Sequence, residues 1–386
     1  MKTVLISKFS PQALAFLKSC YCNKIDTLFL WIADKKEPVP KSKFIENIYK
    51  IPQDLVFSDK GIELIKESLN EQRKYFLIST SEKISGWLYK SETLGDGFFE
   101  VLFSENMDNI LSKTKQLETA RKSGLNLLPT FYITKDKKSY STIPESNYPL
   151  CLRPSELDSV KPGFKVLIIK NQDEMENYIK GLEKLNSHLL AQPFMDVPNL
   201  VVHGSMDKLG NVFGLEGFIV KNKFEGVSLT IQKYKIDKSL KEKCKKFVQS
   251  MDVYGPFHFE FLYDEVKNKN WFLEINNRMG GTTAKVFSLG YDEPAYILKS
   301  MGVNISADLK ISSEVSSNKA GLIKYLLNII SNRLSPLDYS DKSLKIEKIV
   351  FALKGLFFFK DDILSLKDLK SISSFYKALI YEKLKG

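Results

Sequence analysis

Apolar and polar positions divide the chain into elements whose periods are readable. At the start, Thr3 to Ser7 predicts a short apolar strand, Pro11 to Cys20 a helix and Thr27 to Ala33 a second strand, which together open like a βαβ unit. A helical pattern from Gly61 to Gln72 and a strand from Tyr75 to Ser79 continue it, so an open, mostly parallel sheet is expected there. Asn109 to Ser123 reads as a helix closed by Gly124 as a C-cap, with Pro129 beyond. Val166 to Lys170 reads as a strand and Asp173 to Leu185 as an amphipathic helix. Leu200 to Ser205, Val212 to Val220 and Ser228 to Tyr234 read as strands of another sheet, and Lys238 to Asp252 as a lysine-rich helix. Helix patterns recur at Glu293 to Met301, Lys319 to Ile330 and Leu366 to Leu384.

The stretch from Gly255 to Lys285 holds the densest chemistry. It reads as two strands joined by a polar turn, with Phe257, Phe259, Phe261 and Tyr263 on one face of the first and Trp271, Leu273 and Ile275 on one face of the second. Because side chains alternate with a period of two, Glu260 falls on the opposite face of the first strand, and Glu274, Asn276 and Arg278 share that face of the second. Two carboxylates and an amide oxygen are hard ligands that suit Mg²⁺ or Mn²⁺ held together with substrate phosphates, and a guanidinium beside them suits phosphate oxygens. Gly280-Gly281-Thr282-Thr283 follows as a turn whose amides can meet an anion. The same pattern also describes an amphipathic hairpin with a solvated polar face.

Composition narrows the class. A chain of 386 residues with 43% hydrophobic and 27% charged residues is expected to be a soluble globular protein of two or three domains. The formal charge of +11 is spread along the chain, which fits either a lysine-rich solvated surface or a preference for anionic ligands. No nucleic-acid-binding module or basic stripe with stacking aromatics is visible, so no nucleic-acid partner is expected. Cys20, Cys22, Cys151 and Cys244 show no paired metal spacing and read as free thiols of a cytoplasmic protein. The start lacks a signal-peptide pattern, and no run approaches the ~18 apolar residues of a membrane span, so no membrane partner is expected. The apolar run Ile349 to Phe359, interrupted by Lys354 and Gly355, reads as a buried strand or helix.

The run Glu274-Ile275-Asn276-Asn277-Arg278, with Glu260 upstream and Gly280-Gly281 after it, resembles the metal-binding signature of the ATP-grasp superfamily. The resemblance implies that Glu260, Glu274 and Asn276 hold Mg²⁺ or Mn²⁺ with ATP, and that Glu274 and Arg278 serve catalysis. Lys113, near the start of a helix that ends in Gly, is similar to the family's first phosphate lysine, although Lys115 lies close by. Tyr148 to Pro154 resembles the strand that carries the second, here replaced by Arg153, whose planar fork keeps the charge. Where the family has a glycine-rich loop, Ser155 to Lys165 holds only Gly163, and Lys161 and Lys165 stand as candidate phosphate contacts. Leu189 to Met195 resembles the hinge that receives adenine, which makes Gln192, Phe194 and Met195 nucleotide-binding candidates. His203 is either a structural histidine or one of the groups such a sheet points at its ligands. The loops Lys8-Phe9-Ser10 and Thr80-Ser81-Glu82 end parallel strands and are either ligand loops or simple turns.

The expected fold is α/β of the α+β ATP-grasp kind. An open parallel N-terminal domain (1–108) precedes a two-subdomain ATP-grasp module (109–310, lid about 125–192), and a mainly helical region (311–386) follows. The implied activity is an ATP- and magnesium-dependent joining of a small-molecule carboxylate to an amine through an acylphosphate, releasing ADP and phosphate, in a chain that can be an oligomer. A small-molecule kinase of the same fold and a non-catalytic nucleotide-binding protein are the rival readings.

Overall fold

The computed structural model describes residues 2–69, 75–91, 99–101, 107–156, 159–305, 310–334, 344–363 and 368–385. Its first unit is a parallel sheet built from β1 (Lys2–Ser7), β2 (Thr27–Ala33), β3 (Asn47–Pro52), β4 (Tyr75–Ser79) and β5 (Phe99–Val101), in the order β3-β2-β1-β4-β5. Helices α1 (Pro11–Cys22), α2 (Asp59–Glu67) and α3 (Glu82–Lys90) connect the strands. Strands β1 and β2 are buried along their whole length apart from Lys2, because both faces are covered and continuous apolar runs replace alternation. The strand order reverses beside β1, so the carboxyl ends of β1 and β4 form a topological switch point, the place where open parallel sheets receive ligands. The end of the helix read as Gly61 to Gln72 lies outside the described residues.

Next come α4 (Met107–Leu111) and α5 (Lys113–Lys122), where the pattern predicted one helix. Ser112 breaks it: its backbone is extended and its hydroxyl accepts from the Lys115 amide, so the chain is capped and restarted one residue before Lys113. A four-stranded antiparallel sheet follows in the order β6-β11-β7-β9, from β6 (Phe131–Ile133), β7 (Leu150–Pro154), β9 (Leu167–Ile169) and β11 (Leu189–Pro193). Two short helices, α6 (Lys138–Ser141) and α7 (Gln172–Lys180), pack near it. The helix expected to run to Leu185 stops at Lys180 with Gly181 as its cap, and the next residues form β10 (Lys184–Leu185), paired with β8 (Val160–Lys161).

The largest sheet has seven strands in the order β18-β17-β12-β13-β16-β19-β20. They are β12 (Asn199–Met206), β13 (Val212–Val220), β16 (Thr230–Tyr234), β17 (Gly255–Asp264), β18 (Lys269–Asn276), β19 (Val315–Ser317) and β20 (Lys360–Asp361). A small ribbon, β14 (Lys223–Phe224) with β15 (Val227–Ser228), lies between β13 and β16. Helices α8 (Lys238–Ser250), α9 (Thr283–Ser288), α10 (Glu293–Ser300), α11 (Lys319–Ile330), α12 (Lys345–Phe358) and α13 (Leu369–Lys385) complete the chain. β19 and β20 continue this sheet beyond residue 310, inside the stretch read as mainly helical. The apolar run from Ile349 lies on α12, which packs on α11 and leaves Val350, Leu353, Phe357 and Phe358 exposed; it is therefore not a buried element.

A large core lies between the first strands of this sheet and helices α5 and α8, and it contains Phe257, Phe259 and Phe261 from β17. Of Trp271, Leu273 and Ile275 on β18, only Ile275 joins them. A β-bulge at Leu273 shifts the register, so that Phe259 faces Ile275, Glu260 faces Glu274 and Phe261 faces Phe272. The extra residue re-aims half of the strand: Phe272 and Ile275 enter the core, while Leu273 turns to the cavity described below.

Candidate active site

A cavity of about 1180 Å³ separates the three sheets. Its floor is the polar face of β17 and β18, its cover is the four-stranded sheet with Ser155, Glu156, Val160 and the residues from Gly163 to Val166, and one end meets Gln12 and the residues after β4, Thr80 to Lys83. Thr80-Ser81-Glu82 therefore does reach the cavity, whereas Lys8-Phe9-Ser10 does not line it.

Glu260 and Glu274 face each other directly across β17 and β18, and Asn276 lies two pairs further on, opposite His258. Two like charges at a cross-strand position repel, so the pair persists only if cations compensate it. Lys113 forms a salt bridge and hydrogen bond with Glu274 Oε2, and Arg153 Nη1 approaches the same oxygen at 3.5 Å. Burial alone raises the Glu274 pKa, but the Lys113 ammonium and Arg153 guanidinium outweigh it and hold the carboxyl at about 2. Glu274 is ionised throughout the physiological range.

Several groups fix these cations. Gln116 on α5 donates to the carbonyls of Ile110 (2.7 Å) and Ile275 (2.9 Å) and accepts from the Ile275 amide (3.1 Å), which locks the Lys113 helix to the strand of Glu274. Arg153 is buried, and its Nη2 donates to Gln192 Oε1 at 2.8 Å, while Gln192 Nε2 donates to Thr130 Oγ1 at 2.8 Å. Gln192 thus lines the cavity but spends its side chain on orienting Arg153. Arg278 reaches Glu82 with Nε–Oε1 at 3.5 Å, joining the large sheet to the parallel one.

Phe194 and Met195 line the cavity next to Gln192. The Phe194 amide donates to the Pro149 carbonyl at 2.8 Å, so it is already engaged and leaves fewer backbone groups to read a purine edge. Lys165 lines the cavity, but Lys161 does not. Val160 points into the core beneath the cover, and alternation along β8 sends Lys161 the other way, onto an exposed rim where it is paired with Lys184. Leu157 and Asp158, inside the same loop, lie outside the described residues. His203 is wholly buried: its Nε2 is 2.9 Å from Thr282 Oγ1 and its Nδ1 3.1 Å from Glu293. It supports the floor without reaching the cavity.

The sequence reading missed Gln116, Glu82 as the partner of Arg278, and His258. His258 stands two residues before Glu260, so the period of two already placed it on the polar face.

Among the described residues no three His, Cys, Asp or Glu side chains form a metal cage by themselves. Two carboxylates and an amide oxygen on one face fit a hard divalent cation that draws its remaining ligands from phosphate oxygens and water.

A parallel sheet with its switch point opening on a cavity, a small antiparallel cover and a large antiparallel floor carrying paired glutamates constitute the ATP-grasp fold. Solved structures confirm that fold. The chain is similar to the biotin carboxylase domain of a 2-oxoglutarate carboxylase from Hydrogenobacter thermophilus, at TM-score 0.62 and 17% identity, over 81% of this chain and 73% of that one. It is similar to N5-carboxyaminoimidazole synthetase from Staphylococcus aureus at TM-score 0.60 and 15% identity, over 88% and 89% of the two chains. It also resembles an L-amino acid ligase from Bacillus licheniformis at TM-score 0.58 and 14% identity, over 82% and 78%. No protein-family model and no curated protein matches the sequence. Among the described residues no helix is long and apolar enough to cross a membrane.

Proposed function

We propose that this chain is an ATP- and Mg²⁺-dependent ligase that joins a small-molecule carboxylate to an amine, forming ADP and phosphate. The observation that carries the reading is the meeting of Lys113 and Arg153 on Glu274 directly opposite Glu260, on the floor of a cavity with room for a nucleotide and a second molecule. The three structural neighbours named above, a carboxylase domain, a synthetase and a ligase, support it by analogy of fold.

Glu260, Glu274 and Asn276 would hold the cation, which when bound supplies positive charge to the phosphate oxygens of ATP. Arg153, fixed by Gln192, and Lys113, on the helix fixed by Gln116, would meet the same phosphates. Phe194 and Met195, which line the cavity beside Gln192, would flank the adenine end. The acceptor carboxylate takes the terminal phosphoryl group, and Arg278 offsets the charge that develops there. The amine then attacks the acyl carbon, the amide bond forms, and the acyl–oxygen bond breaks to release phosphate. Enclosure between floor and cover excludes water, which would otherwise hydrolyse the activated acid.

A panel of amino acids and other small carboxylates, offered singly and with amines, tests the reading through ADP formation. ADP and phosphate released in equal amounts, and only with an amine present, is the expected result. ADP formation with no pair, or phosphate retained on a product, would overturn it.

A further inference from the structure

We propose that α11 and α12 form a self-association surface, on which a second copy of this chain docks about a two-fold axis with its α12 antiparallel to this one. No residue of either helix lines the cavity, so the surface stands apart from the ligase reading.

The two helices run antiparallel to each other. Lys319 at the start of α11 donates to the carbonyls of Gly355 (2.7 Å) and Phe359 (2.8 Å) at the end of α12, and Lys345 at the start of α12 donates to the Ile330 carbonyl (3.3 Å) at the end of α11. One side of each helix is spent inside the chain. Leu322, Tyr325 and Ile329 of α11 and Lys348, Ala352 and Gly355 of α12 are buried. Gly355 permits the close approach, since a Cβ there would come within 2.9 Å of Leu322 Cδ1. Tyr325 meets Phe224 of the β14–β15 ribbon, with 5.6 Å between ring centroids.

The other side is apolar as well, where a helix facing water carries polar residues. At 3.6 residues per turn, Ile323, Leu327 and Ile330 form one stripe along α11. Ile346, Val350, Leu353 and Phe357 form another along α12, on the side opposite Lys348, Ala352 and Gly355. Their spacings of four and three residues are those of a seam between packed helices. All seven side chains are 42–79% exposed. Together they offer on the order of 800 Å² of apolar surface, about what one partner contributes to a stable protein interface.

Charge selects the occupant. A membrane surface of anionic lipid would require free lysines around the stripes, and most are already engaged: Lys319 and Lys345 by carbonyls, Lys324 by Glu225 at 2.6 Å, while Lys348 is buried. Glu347 and Lys354 remain. They stand seven residues apart and so share one edge of the α12 stripe. One Glu347 oxygen accepts from the Leu344 amide at 2.8 Å, which leaves the other available, and among the described residues no ion pair holds Lys354. In an antiparallel pair Val350 meets Leu353 of the partner subunit, and each Glu347 comes within reach of Lys354 of the partner subunit. An isologous contact makes that ion pair twice, and the two hairpins complete a four-helix bundle.

Sedimentation velocity on the full chain tests the surface, with thermal melts to check that each variant folds. The parent is expected to sediment as a dimer at about 10 µM, within the range that interfaces of this size reach. Val350→Glu and Leu353→Glu each bury a carboxylate in the seam on both subunits and should weaken the dimer about a hundredfold or more. Lys354→Glu turns both cross-seam ion pairs into repulsions and should weaken it about tenfold at low salt. Adding Glu347→Lys to Lys354→Glu restores opposite charges and should return the dimer to within about threefold of the parent. A parent that stays monomeric up to about 100 µM would overturn the self-association surface, as would a dimer that Val350→Glu and Leu353→Glu leave intact. Failure of the charge exchange to rebuild the dimer would overturn its antiparallel arrangement. A monomer that binds vesicles of phosphatidylglycerol and phosphatidylcholine, and loses them with Val350→Glu, would assign the face to a membrane surface instead.

Discussion

The floor and the cover of the cavity are built on opposite principles. On the floor the polar groups are held by partners: Glu274 by Lys113 and Arg153, Lys113's helix by Gln116, Arg153 by Gln192 and Asn276 by His258. On the cover, the segment from Lys161 to Val166 is mostly exposed and its lysines lack comparable side-chain locks; among the described residues no hydrogen bond or ion pair ties the Lys165 ammonium to a side chain. Preorganised charge stabilises a developing transition state because it needs no reorganisation at the moment of reaction, whereas a surface that must admit a nucleotide has to yield. The floor is therefore expected to be intolerant of substitution and the cover tolerant.

The largest effect falls on the centre of the floor. Glu274→Gln keeps shape but removes a charge, and ADP formation should drop by about a hundredfold or more, the upper end of what metal-site changes cost, with circular dichroism unchanged. Arg153→Ala should lose most activity and also destabilise the fold by about 1–3 kcal/mol, because the buried Gln192 oxygen loses its donor. Arg153→Lys keeps the charge without the fork and should retain part of the activity. Gly280→Ala forces the His258 ring to shift, with an expected cost of about 1–3 kcal/mol in thermal stability. At the cover, Lys165→Ala should weaken nucleotide binding by only about two- to fivefold, as expected for a solvated charge, and Lys161→Ala should leave it unchanged. Equal losses from these two lysines in a nucleotide titration would break the distinction drawn between rim and cavity.

Acid should expose the same contrast. The folded Glu274 carboxyl, at about 2, lies below its ordinary 4.5, so its contribution to stability is fully present above pH 4.5 and is lost as pH falls through 2. Melts of the parent and Glu274→Gln should converge across that window. A constant difference down to pH 2 would contradict the ion-pair account.

What the sequence disclosed follows the same division. Alternation of apolar with polar side chains on β17 and β18 revealed Glu260, Glu274 and Asn276 on one face, the face that lines the cavity. The bulge at Leu273 left no trace in composition, and it turned the expected Trp271, Leu273 and Ile275 face into Phe272 and Ile275. Gln116 looked like any polar residue of a helix, since its importance lies in a strand 159 residues away. Ser112 could have been read as a cap, and the uninterrupted helical periodicity hid it. At the cover, strands of two or three residues such as β8 and β10 are too short for any period to register, so Lys161 was grouped with Lys165. The three-residue β19 escaped for the same reason, and with it the continuation of the large sheet past the expected boundary.

The central claim is that the acceptor's carboxylate is phosphorylated on this floor and then released to an amine. It is tested most directly by labelling both oxygens of the acceptor carboxylate with heavy oxygen and following the label by mass spectrometry during turnover with ATP and Mg²⁺. The account predicts that one labelled oxygen per turnover leaves in the released phosphate, because the bridging oxygen departs with it. Released phosphate that carries no label, while amide product accumulates, would contradict it.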